Sequence, residues 1–380
     1  MKISIVTGFF LPVPPVLGGA TEKIWFRLSA DFAAAGHTVT FVSRNWPGFA
    51  ARETIAGVTH LRVRGHDHTL SLALNLWHDF WWGVRVSRAL PTADVTICNS
   101  PTLPAWLGRF CPRAGKVVAV VARMPKGQGR AYRRVDLILA LSEAVAARLR
   151  AENPALAARI AMFPFPIDWA QHVRYAQKNP PPVPVTIGYI GRLHPEKGLR
   201  LLLAAAAQLA TRADLPPWRI ELTGPISVTA GGGGEAFREA LLAEFGGALG
   251  DRLAFLPPEF DPEKLARRYG LLDVFCYPSL AEQGETFGVA VAEGMAAGCA
   301  PVVSGLACFQ ELVRDGETGL VFDHTAPDAA ARLAATLAQL IADPKLRGEI
   351  AARAQSHARH FDFAECAQTV LADLDRAIVK

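Results

Sequence analysis

One pattern occurs twice in this sequence: a short apolar run, a polar or glycine-rich loop, and then a segment with helical periodicity. The first copy begins with KISIVTG at residues 2–8 and continues through Gly18 and Gly19 into apolar residues at helical spacing. The second begins with VTIGYIG at 185–191, followed by RLHPEKG and a helix rich in leucine and alanine. Short β-branched runs that alternate with helices are typical of buried parallel strands. The pattern therefore predicts two doubly wound α/β domains.

The length of 380 residues is too great for one ordinary core and suits two domains. The proline-rich stretch KNPPPVPV at 178–185 lies between the two copies, and we predict a linker there. The predicted domains span residues 1–172 and 183–358, and a terminal segment spans 359–380. Further predicted elements are strands at 95–98, 116–121 and 137–141 and helices at 143–151 and 363–379.

The charge of the chain is unevenly distributed. Lys and Arg number 40 and Asp and Glu 35, so the net charge of +5 is low for a nucleic-acid-binding protein, and we expect no nucleic acid partner. Residues 95–135 contain no acidic residue and eight basic ones. Such a stretch is either a solvated surface or a site of attraction for an anionic substrate or an acidic lipid surface. We hypothesise an acceptor or anion patch at Arg123, Lys126, Arg130, Arg133 and Arg134.

The cysteines and the apolar segments indicate the compartment. Six cysteines show neither a CxxC pair nor regular spacing, as expected of reduced thiols in a cytoplasmic protein. Prolines and glycines interrupt the apolar opening at 3–21, which argues against a signal peptide, and no stretch suits a bilayer span. We expect a cytoplasmic protein, with peripheral attachment to the inner face of the cell membrane as an open alternative.

In the segment PSLAEQGETFGVAVAEGMAAGCAPVVS at 278–304, Glu285 and Glu293 lie eight residues apart. Glu285 falls in a loop, and Glu293 falls inside a helix that should begin near residues 287–288. The backbone N–H groups at that helix start, including that of Val289, are suited to phosphate oxygens. Glu293, about one turn further in, can accept hydrogen bonds from vicinal hydroxyls such as those of a ribose. Acidic residues near a helix start are also favoured by the helix dipole, so Glu293 alone does not decide between the two interpretations.

The segment GRLHPEKG at 191–198 directly follows a predicted strand and opens the next helix. Arg192 offers a planar guanidinium to phosphate, and Lys197 offers a compact charge at the same helix entrance. Two cations and helix N–H groups can stabilise the charge that develops on a diphosphate when its bond to a sugar breaks. Cations near helix starts are common, so the hypothesis depends on finding both segments in one chain.

Together these segments resemble the nucleotide-binding domain of family-four retaining glycosyltransferases, over residues 185–325. GRLHPEKG resembles the family's G-R-x-x-x-E-K-G, and ETFGVAVAEGMAAG resembles its E-x7-E signature. The similarity is weaker at 18–42, and between about 45 and 135 only the general α/β pattern is visible. The resemblance implies the GT-B fold, in which two Rossmann-like doubly wound domains face each other across a cleft and a C-terminal helix crosses back to the first domain.

The resemblance also implies roles for individual residues. Arg192 and Lys197 would hold the donor diphosphate, and Glu293 would bind the ribose. Glu285 would contact the transferred sugar. The reaction would retain anomeric configuration, with the acceptor hydroxyl attacking on the face from which the diphosphate departs and a phosphate oxygen taking the proton. It would need no metal and no cofactor beyond the nucleotide-diphosphate sugar. The donor-binding residues implied are Gly18, Gly19, Arg192, Lys197, Glu285, Phe287, Gly288, Val289 and Glu293.

The sequence departs from the family pattern at two places. Many relatives have a histidine after the fourth strand of the first domain, near the anomeric centre, where the stretch ICNSP places Asn99. Asn can hydrogen-bond a sugar hydroxyl but cannot act as a base near pH 7. Stabilisation of the leaving group can still dominate, so we keep Asn99 as a predicted catalytic residue beside Glu285, Arg192 and Lys197. The family's N-G-[VI]-D reads FPID at 165–168 here.

The segment LSLALNLWHDFWWGVRVSRAL at 70–90 has helical periodicity. Leu74, Trp77, Trp81 and Val84 share one helical face, which we expect to lie in the core. Trp82 falls with Asn75, His78 and Asp79 on the other side, where it is a candidate contact for an acceptor or a membrane.

Three short motifs have simple structural interpretations. His66-Asp67-His68 lacks a further metal ligand at useful spacing, so a surface turn is expected. Asp373-x-Asp375 lies on the polar face of a predicted helix rather than at a strand end, and metal binding is not expected there. Gly231–Gly234 is expected to be a mobile surface loop.

The sequence therefore predicts a hexosyltransferase-like glycosyltransferase of glycan or glycolipid biosynthesis. Its expected partners are a nucleotide-sugar donor and a sugar or lipid-linked acceptor, with an anionic membrane surface as a further candidate. Three alternatives stay open. They are a GT-B-fold sugar-nucleotide epimerase or phosphorylase, a catalytically silent nucleotide-sugar-binding protein, and a nicotinamide-dependent oxidoreductase. The last ranks lowest because neither first strand is followed by G-x-G-x-x-G.

Overall fold

The protein consists of two α/β units in this structure, a computed structural model that describes residues 1–17, 19–176 and 184–379. Unit 1 comprises Met1–Pro166 with Phe363–Lys380, and unit 2 comprises Ile167–Asp362. The first division thus falls at Pro166, where the sequence suggested residue 172. The linker expected at 178–185 lies outside the described residues except for its last two.

The elements alternate along the chain as expected of doubly wound folds. In chain order, the strands are β1 (Lys2–Val6), β2 (Thr38–Arg44), β3 (Arg52–Ile55), β4 (Val58–Val63), β5 (Val95–Cys98), β6 (Lys116–Val121), β7 (Leu137–Ala140), β8 (Ile160–Met162), β9 (Val185–Ile190), β10 (Trp218–Thr223), β11 (Leu253–Leu256), β12 (Val274–Tyr277), β13 (Ala300–Ser304) and β14 (Leu320–Phe322). The helices are α1 (Ala20–Ala34), α2 (Leu72–Ala89), α3 (Leu103–Phe110), α4 (Glu143–Glu152), α5 (Trp169–Tyr175), α6 (Leu199–Ala210), α7 (Glu235–Leu249), α8 (Pro262–Gly270), α9 (Val289–Ala296), α10 (Ala329–Ala342), α11 (Pro344–Ala358) and α12 (Phe363–Val379).

Unit 1 contains an eight-stranded sheet in the order β3-β4-β2-β1-β5-β6-β7-β8. The strand neighbours are parallel except for the pair β3 and β4. The predictions of strands at β5, β6 and β7 and of the helix at α4 are confirmed to within one residue. The sequence did not indicate β3 and β4. The residues of β3 alternate between exposed and partly buried, and those of β4 alternate between buried and partly buried. Several of them are charged, so neither strand reads as a continuous apolar run.

The C-terminal helix belongs to unit 1, and the prediction of a helix over 363–379 is confirmed. It packs on α1, where the Arg27 guanidinium lies 4.1 Å from the centre of the Phe363 ring. The chain therefore returns to its first unit, as the GT-B resemblance implied.

Unit 2 contains six parallel strands in the order β11-β10-β9-β12-β13-β14. The winding of the chain reverses at β9, which lies between β10 and β12. In open α/β sheets, the loops that leave the carboxyl ends of two such strands diverge and create a crevice between them. The segment at 191–198 is the loop that leaves β9, and the segment at 278–304 begins with the loop that leaves β12, so the topology brings the two motifs to one place.

The orientation of α2 is opposite to the one predicted. Trp82 is fully buried, and its indole N–H donates a hydrogen bond to the Thr7 carbonyl at 3.1 Å. Trp77 and Trp81, expected in the core, are 58% and 40% exposed. The polar residue on the inner side is also satisfied, because the Asp79 carboxylate accepts hydrogen bonds from the loop after β5. Periodicity identified the larger apolar face of α2, but the face with Trp82 and Val86 packs into the hydrophobic core of unit 1, and the larger face is exposed.

Candidate active site

The loops that follow β9 and β12 approach each other through Gly198. This residue has a φ of +70°, and a Cβ at this position would lie 2.0 Å from the Pro278 carbonyl oxygen. A side chain would therefore hold the loops apart. One backbone hydrogen bond also joins them, from the Leu280 N–H to the Glu196 carbonyl at 2.8 Å. The last glycine of GRLHPEKG thus permits the contact that assembles the site.

Lys197 and Glu285 form an ion pair at this contact. The Lys197 Nζ lies 2.7 Å from the Glu285 Oε2, and the two side chains are only 7% and 11% exposed. The Ser279 hydroxyl donates a further hydrogen bond to the same oxygen at 3.2 Å. Burial and the charge of Glu285 raise the pKa of the adjacent Tyr277, whose ring centre lies 5.5 Å from the Lys197 Nζ. The pair is therefore held in a poorly hydrated setting, where charges interact more strongly than at the surface.

Arg192 is held by two partners beside this pair. Its Nη2 lies 2.8 Å from the Glu196 Oε1, and its Nη1 donates to the Gly231 carbonyl at 2.8 Å. Gly231–Gly234, predicted to be a mobile surface loop, packs in part against the Arg192 segment. Gly232 is buried, and the Gly233 N–H donates to the Leu193 carbonyl at 2.8 Å. The glycines allow the loop to lie against the Arg192 segment.

The helix start predicted near residues 287–288 is confirmed. Gly288 is the N-cap of α9, with a φ of +92° and no room for a side chain, because a Cβ would lie 2.7 Å from the Phe309 ring. Phe287 is buried and packs edge-on against Phe361. Val289 is the first helical residue, so its N–H is among those that an α-helix leaves without an intrahelical partner.

Glu293 lies inside α9, about one turn from its start. The Tyr269 hydroxyl donates a hydrogen bond to its Oε2 at 2.9 Å. Burial raises the pKa of Glu293 above its usual value, whereas His172 and the Tyr269 hydrogen bond act in the opposite direction. His172, on α5, uses its Nδ1–H for the Asp168 carbonyl at 2.9 Å. Sequence reasoning missed both Tyr269 and His172, since nothing in their local sequence links them to Glu293.

A cavity of about 520 Å³ lies at the carboxyl ends of β10 and β11. Its walls include Phe255, Pro257 and Phe260, and Leu193 borders it on the side of Arg192. The Leu193 N–H donates to the Pro225 carbonyl at 3.0 Å, which fixes that wall. The signal for this cavity in the sequence is weak: Gly224 and Pro225 follow β10, and Pro257 and Pro258 follow β11.

Gly19 and Asn99 are the predicted donor-binding and catalytic residues of unit 1 that the structure describes. Gly19 is the N-cap of α1 and lies beside the buried carboxyl group of Glu22. The pKa of Glu22 is raised, because the effect of burial is larger than the opposing effect of the charge of Arg123. Asn99 directly follows β5, and its Nδ2 donates to the Val6 carbonyl at 3.3 Å. Its Oδ1 is buried and has no hydrogen bond from any residue that the structure describes. Gly18 lies outside the described residues.

The comparisons with known proteins cover both units. A family model described as Glycosyltransferase Family 4 matches residues 18–171, and one described as Glycosyl transferases group 1 matches residues 174–357. The chain belongs to the family-four glycosyltransferases. Its membership confirms the resemblance on which the predicted site residues rest.

Curated relatives of this glycosyltransferase match about half of its length. A D-inositol 3-phosphate glycosyltransferase of Rhodococcus erythropolis is 33% identical over 201 residues, which are 52% of this chain and 42% of that protein. A phosphatidyl-myo-inositol mannosyltransferase of Mycolicibacterium smegmatis is 33% identical over 180 residues, which are 47% of this chain and 42% of that protein. The matched region thus spans about two fifths of the relatives' own length.

Solved structures share the fold over the whole chain. Sucrose-phosphate synthase from Thermosynechococcus elongatus has a TM-score of 0.76 at 21% identity, covering 99% of this chain and 98% of that one. Anabaena HepE, in complex with UDP, has a TM-score of 0.69 at 17% identity, covering 99% of this chain and 100% of that one. The glycosyltransferase has the GT-B fold that its motifs predicted.

The remaining predicted features of the glycosyltransferase lie in unit 1. Arg123, Lys126, Arg130, Arg133 and Arg134 are all exposed, and their role as an acceptor or anion patch stays a prediction.

Within residues 1–17, 19–176 and 184–379, no cluster of three or more His, Cys, Asp or Glu side chains is arranged to hold a metal ion. In that same part of the chain, no helix is both long enough and apolar enough to cross a bilayer.

Proposed function

We propose that this glycosyltransferase moves a sugar from a nucleotide-diphosphate sugar to an acceptor hydroxyl, with retention of anomeric configuration and without a metal ion. The observation that carries the proposal is the buried Lys197–Glu285 pair at the point where the winding of unit 2 reverses. Ligands of doubly wound sheets bind in the crevice at that point. Arg192, the start of α9 and the cavity beside Leu193 surround the pair on the same unit.

The donor is proposed to bind along the carboxyl edge of the sheet of unit 2. The cavity has the apolar and aromatic walls that suit a flat nucleobase. Leu193 borders that cavity and directly follows Arg192, so a diphosphate beyond the nucleoside reaches Arg192 and Lys197. The free N–H groups at the start of α9 can hold its remaining oxygens. Glu293 is proposed to accept the ribose hydroxyls on Oε1, because Tyr269 occupies Oε2.

The proposed chemistry depends on stabilising the leaving group. The acceptor oxygen forms a bond to the anomeric carbon while the bond from that carbon to the diphosphate oxygen breaks on the same face. The acceptor proton passes to an oxygen of the departing diphosphate. Negative charge develops on that diphosphate, and Arg192 and Lys197 stabilise it. Glu285 orients the Lys197 ammonium and accepts a hydrogen bond from a hydroxyl of the transferred sugar.

Arg192 and Lys197 are also the reason why we propose that the reaction needs no metal ion. Two fixed cations and the helix dipole supply the positive charge that divalent ions supply in other phosphate-transfer sites. We therefore expect turnover to survive a chelator such as EDTA. A requirement for added Mg²⁺ or Mn²⁺ after chelation would contradict this part of the proposal.

The acceptor is proposed to be anionic or lipid-linked. The exposed basic residues between Asp94 and Asp136 support this, because that stretch of the sequence contains eight basic residues and no acidic one. The names of two curated relatives, a D-inositol 3-phosphate glycosyltransferase and a phosphatidyl-myo-inositol mannosyltransferase, both specify a phosphate-bearing inositol acceptor. Paired acceptors with and without the phosphate test the point, and equal kcat/KM for the two members of a pair would contradict it.

The donor proposal is tested by ligand-induced stabilisation. UDP, GDP and ADP and their sugars are compared by thermal shift, where a ligand at a hundredfold excess over Kd stabilises by about 2.7 kcal/mol. We expect one nucleotide series to raise the Tm and Lys197→Met to abolish the shift. Lys264→Met, which removes an exposed cation of α8 in the same unit, is the matched control and should keep it.

Activity and stereochemistry complete the test. Donor hydrolysis or transfer should be measurable in the wild type and lost in Glu285→Ala, and NMR of the product should show the anomeric configuration of the donor. Binding of a nucleotide sugar without any turnover would instead identify a silent nucleotide-sugar-binding protein. Inversion at the anomeric carbon would contradict the proposed same-face attack.

A further inference from the structure

The outer surface of α2 is apolar although nothing within unit 1 covers it among the described residues. Trp77 is 58% exposed, and Phe80 and Trp81 are exposed to 41% and 40%. Their rings contact one another, with centres 5.7 Å apart for the two tryptophans and 5.8 Å for Phe80 and Trp81. Leu74, one turn before Trp77, is also exposed. Four large apolar side chains on one helical face form a patch rather than scattered surface residues.

The patch continues onto α3. The Phe80 and Trp106 rings lie with their centres 6.0 Å apart, and Phe110, one turn beyond Trp106, is 69% exposed. Residues four apart in a helix share a face, so Trp106 and Phe110 extend the same surface. We call the surface formed by Leu74, Trp77, Phe80, Trp81, Trp106 and Phe110 the α2–α3 face.

Arginines lie at the carboxyl-terminal end of this face. Arg88 is exposed one helical heptad after Trp81, and the Arg109 guanidinium lies 5.6 Å from the centre of the Phe110 ring. Arg113 donates to the Ser87 carbonyl at 2.6 Å, which places it at the end of α2. The α2–α3 face is therefore apolar along its length and positive at one end.

No carboxylate offsets these cations on the two helices. The sequence of α3 contains no acidic residue, and that of α2 contains one, Asp79. Asp79 is buried on the opposite side of α2, where it accepts hydrogen bonds from Ser100 and Thr102. An anionic partner would thus meet cations and apolar side chains, and no repelling charge from either helix.

We propose that the α2–α3 face docks on the surface of an anionic lipid bilayer, with α2 lying in the plane of the interface. Aromatic side chains, tryptophan above all, favour the boundary between headgroups and acyl chains, and arginines bind anionic headgroups. A second copy of this chain fits less well. A twofold contact through this face would bring its arginine-rich ends into a shared interface that contains no acidic residue from α2 or α3.

The placement of α2 also narrows the class of acceptor, and this step rests on the proposed function. The inner side of α2 holds the loop after β5 through Asp79, and that loop contains Asn99. An α-helix with its side chains is only about 10–12 Å wide. Docking on the outer side of α2 would therefore bring the Asn99 loop within one helix width of the bilayer, where a hydroxyl on a lipid headgroup or on a lipid-linked sugar is presented.

The docking step is tested by vesicle flotation of the full chain, without any sugar nucleotide. Vesicles of phosphatidylcholine alone are compared with vesicles that contain phosphatidylglycerol at a matched total lipid concentration. We expect the protein to float with the anionic vesicles only, and added salt to weaken binding. Acrylamide quenching of tryptophan fluorescence should fall when anionic vesicles are added, because Trp77 and Trp81 leave the water.

Two pairs of variants locate the surface. Trp77→Ser with Trp81→Ser should abolish both flotation and the change in quenching. The control, Leu271→Ser with Leu242→Ser, changes two unit 2 side chains of nearly the same exposure, 59% and 40%, and should change neither readout.

The second pair of variants tests whether vesicle binding depends on where the cations lie or only on the net charge of the protein. Arg88→Glu with Arg109→Glu should weaken vesicle binding roughly 30-fold or more, since each basic residue near the surface contributes about a factor of five. Lys264→Glu with Lys345→Glu changes the net charge by the same amount on unit 2 and should have a much smaller effect. Unchanged Tm values and circular dichroism confirm that the variants fold.

The outcomes distinguish this proposal from the proposed function. It is overturned if the wild type does not float, if the arginine pair and the lysine pair weaken binding equally, or if the tryptophan variants float as the wild type does. Loss of a homodimer in the tryptophan variants, with no vesicle binding by the wild type, would assign the face to a second copy instead. Normal flotation by a protein without transferase activity would sustain the docking surface and contradict only the proposed function.

Discussion

Unit 1 and unit 2 share a doubly wound architecture but place their polar and aromatic residues differently. In unit 2, charged side chains meet at the carboxyl ends of β9 and β12, where Lys197 and Glu285 pair away from water. At the corresponding ends in unit 1, β1 leads into Thr7 and β5 into the uncharged Asn99. The exposed aromatic residues of unit 1 lie instead on the outside of α2 and α3. Two similar sheets thus accompany different surroundings, a buried ion pair at the strand ends of one unit and exposed aromatic residues on the helices of the other.

The largest expected effect tests the orientation of α2, on which this contrast depends. Trp82→Ala should lower the free energy of unfolding by about 3–5 kcal/mol, because it empties a fully buried site and removes a hydrogen bond to Thr7. Trp81→Ala, one residue away on the exposed side, should change it by less than about 0.5 kcal/mol. Urea denaturation of both variants measures the difference. Equal losses would show that the helix is turned the other way.

The second prediction concerns the polar crevice of unit 2. Lys197→Met should lower kcat by roughly 100- to 1,000-fold, the usual effect of removing one group that stabilises developing charge. The unfolding free energy should also fall, by about 3 kcal/mol, because Glu285 is left as a buried carboxylate that keeps the Ser279 hydrogen bond but loses its cation. The loss of kcat should persist under conditions where the variant is fully folded. Steady-state kinetics and urea denaturation of the same preparation check both parts. A loss of stability that accounts for the loss of activity would make the pair structural.

The third prediction compares the titratable groups buried in the two units. His60 in unit 1 lies between the rings of Phe41 and Phe26, and burial lowers its pKa from 6.5 to about 4. The charge of Arg62 acts in the same direction and that of Glu53 opposes it. The unfolded chain therefore binds more protons than the native state between pH 6.5 and pH 4. Unit 1 should lose stability as the pH falls through that window, by about 3 kcal/mol at most.

The measurement is urea denaturation at pH 7.5 and at pH 4.5, with His60→Phe as the reference variant. Phenylalanine does not titrate, so this variant should lose less stability than the wild type over the same interval. An identical loss in the two proteins would assign the acid sensitivity to other groups.

The smallest expected effect concerns Glu293 and has the opposite sign. Burial raises the pKa of this carboxyl group, so its ionisation at neutral pH opposes folding of unit 2, and stability is lost as the pH rises through the raised pKa. Glu293→Gln should therefore stabilise the protein at pH 7 by about 0.5–2 kcal/mol, as relaxed functional sites commonly do. It should also weaken binding of the nucleotide. A variant that is stabilised without loss of nucleotide affinity would remove Glu293 from the donor site.

The sequence predicted the motifs after β9 and β12 better than it predicted the side-chain contacts between them, for a physical reason. Strands such as β9, and helix starts such as that of α9, are encoded by short local patterns, and both were placed correctly. The ion pair between Lys197 and Glu285 was not predicted, because it depends on the contact between Gly198 and Pro278, which are 80 residues apart. The partners of Glu293 were missed for the same reason, since Tyr269 and His172 reach it through tertiary packing.

The error in α2 has a different cause. Helical periodicity identifies an apolar face but contains no information on what covers it. The expectation that Trp77 and Trp81 lie in the core assumed that the larger apolar face turns inward. In the structure, the hydrogen bonds of Trp82 and Asp79 to loops of the sheet satisfy the inner side. That side also packs Trp82 and Val86 into the hydrophobic core of unit 1, so it combines apolar burial with polar groups that have partners.

The two-sided character of α2 sets a practical rule for redesign. Hydrophilic residues at the exposed positions 74, 77, 80 and 81 should make the protein more soluble in dilute buffer. We expect such a variant to keep its activity toward water-soluble acceptors. Positions 79 and 82 offer no such freedom, because changes there would unsettle the loop that contains Asn99. On this one helix, the outer residues can thus be changed for solubility, while the inner residues must be kept for the loop that contains Asn99.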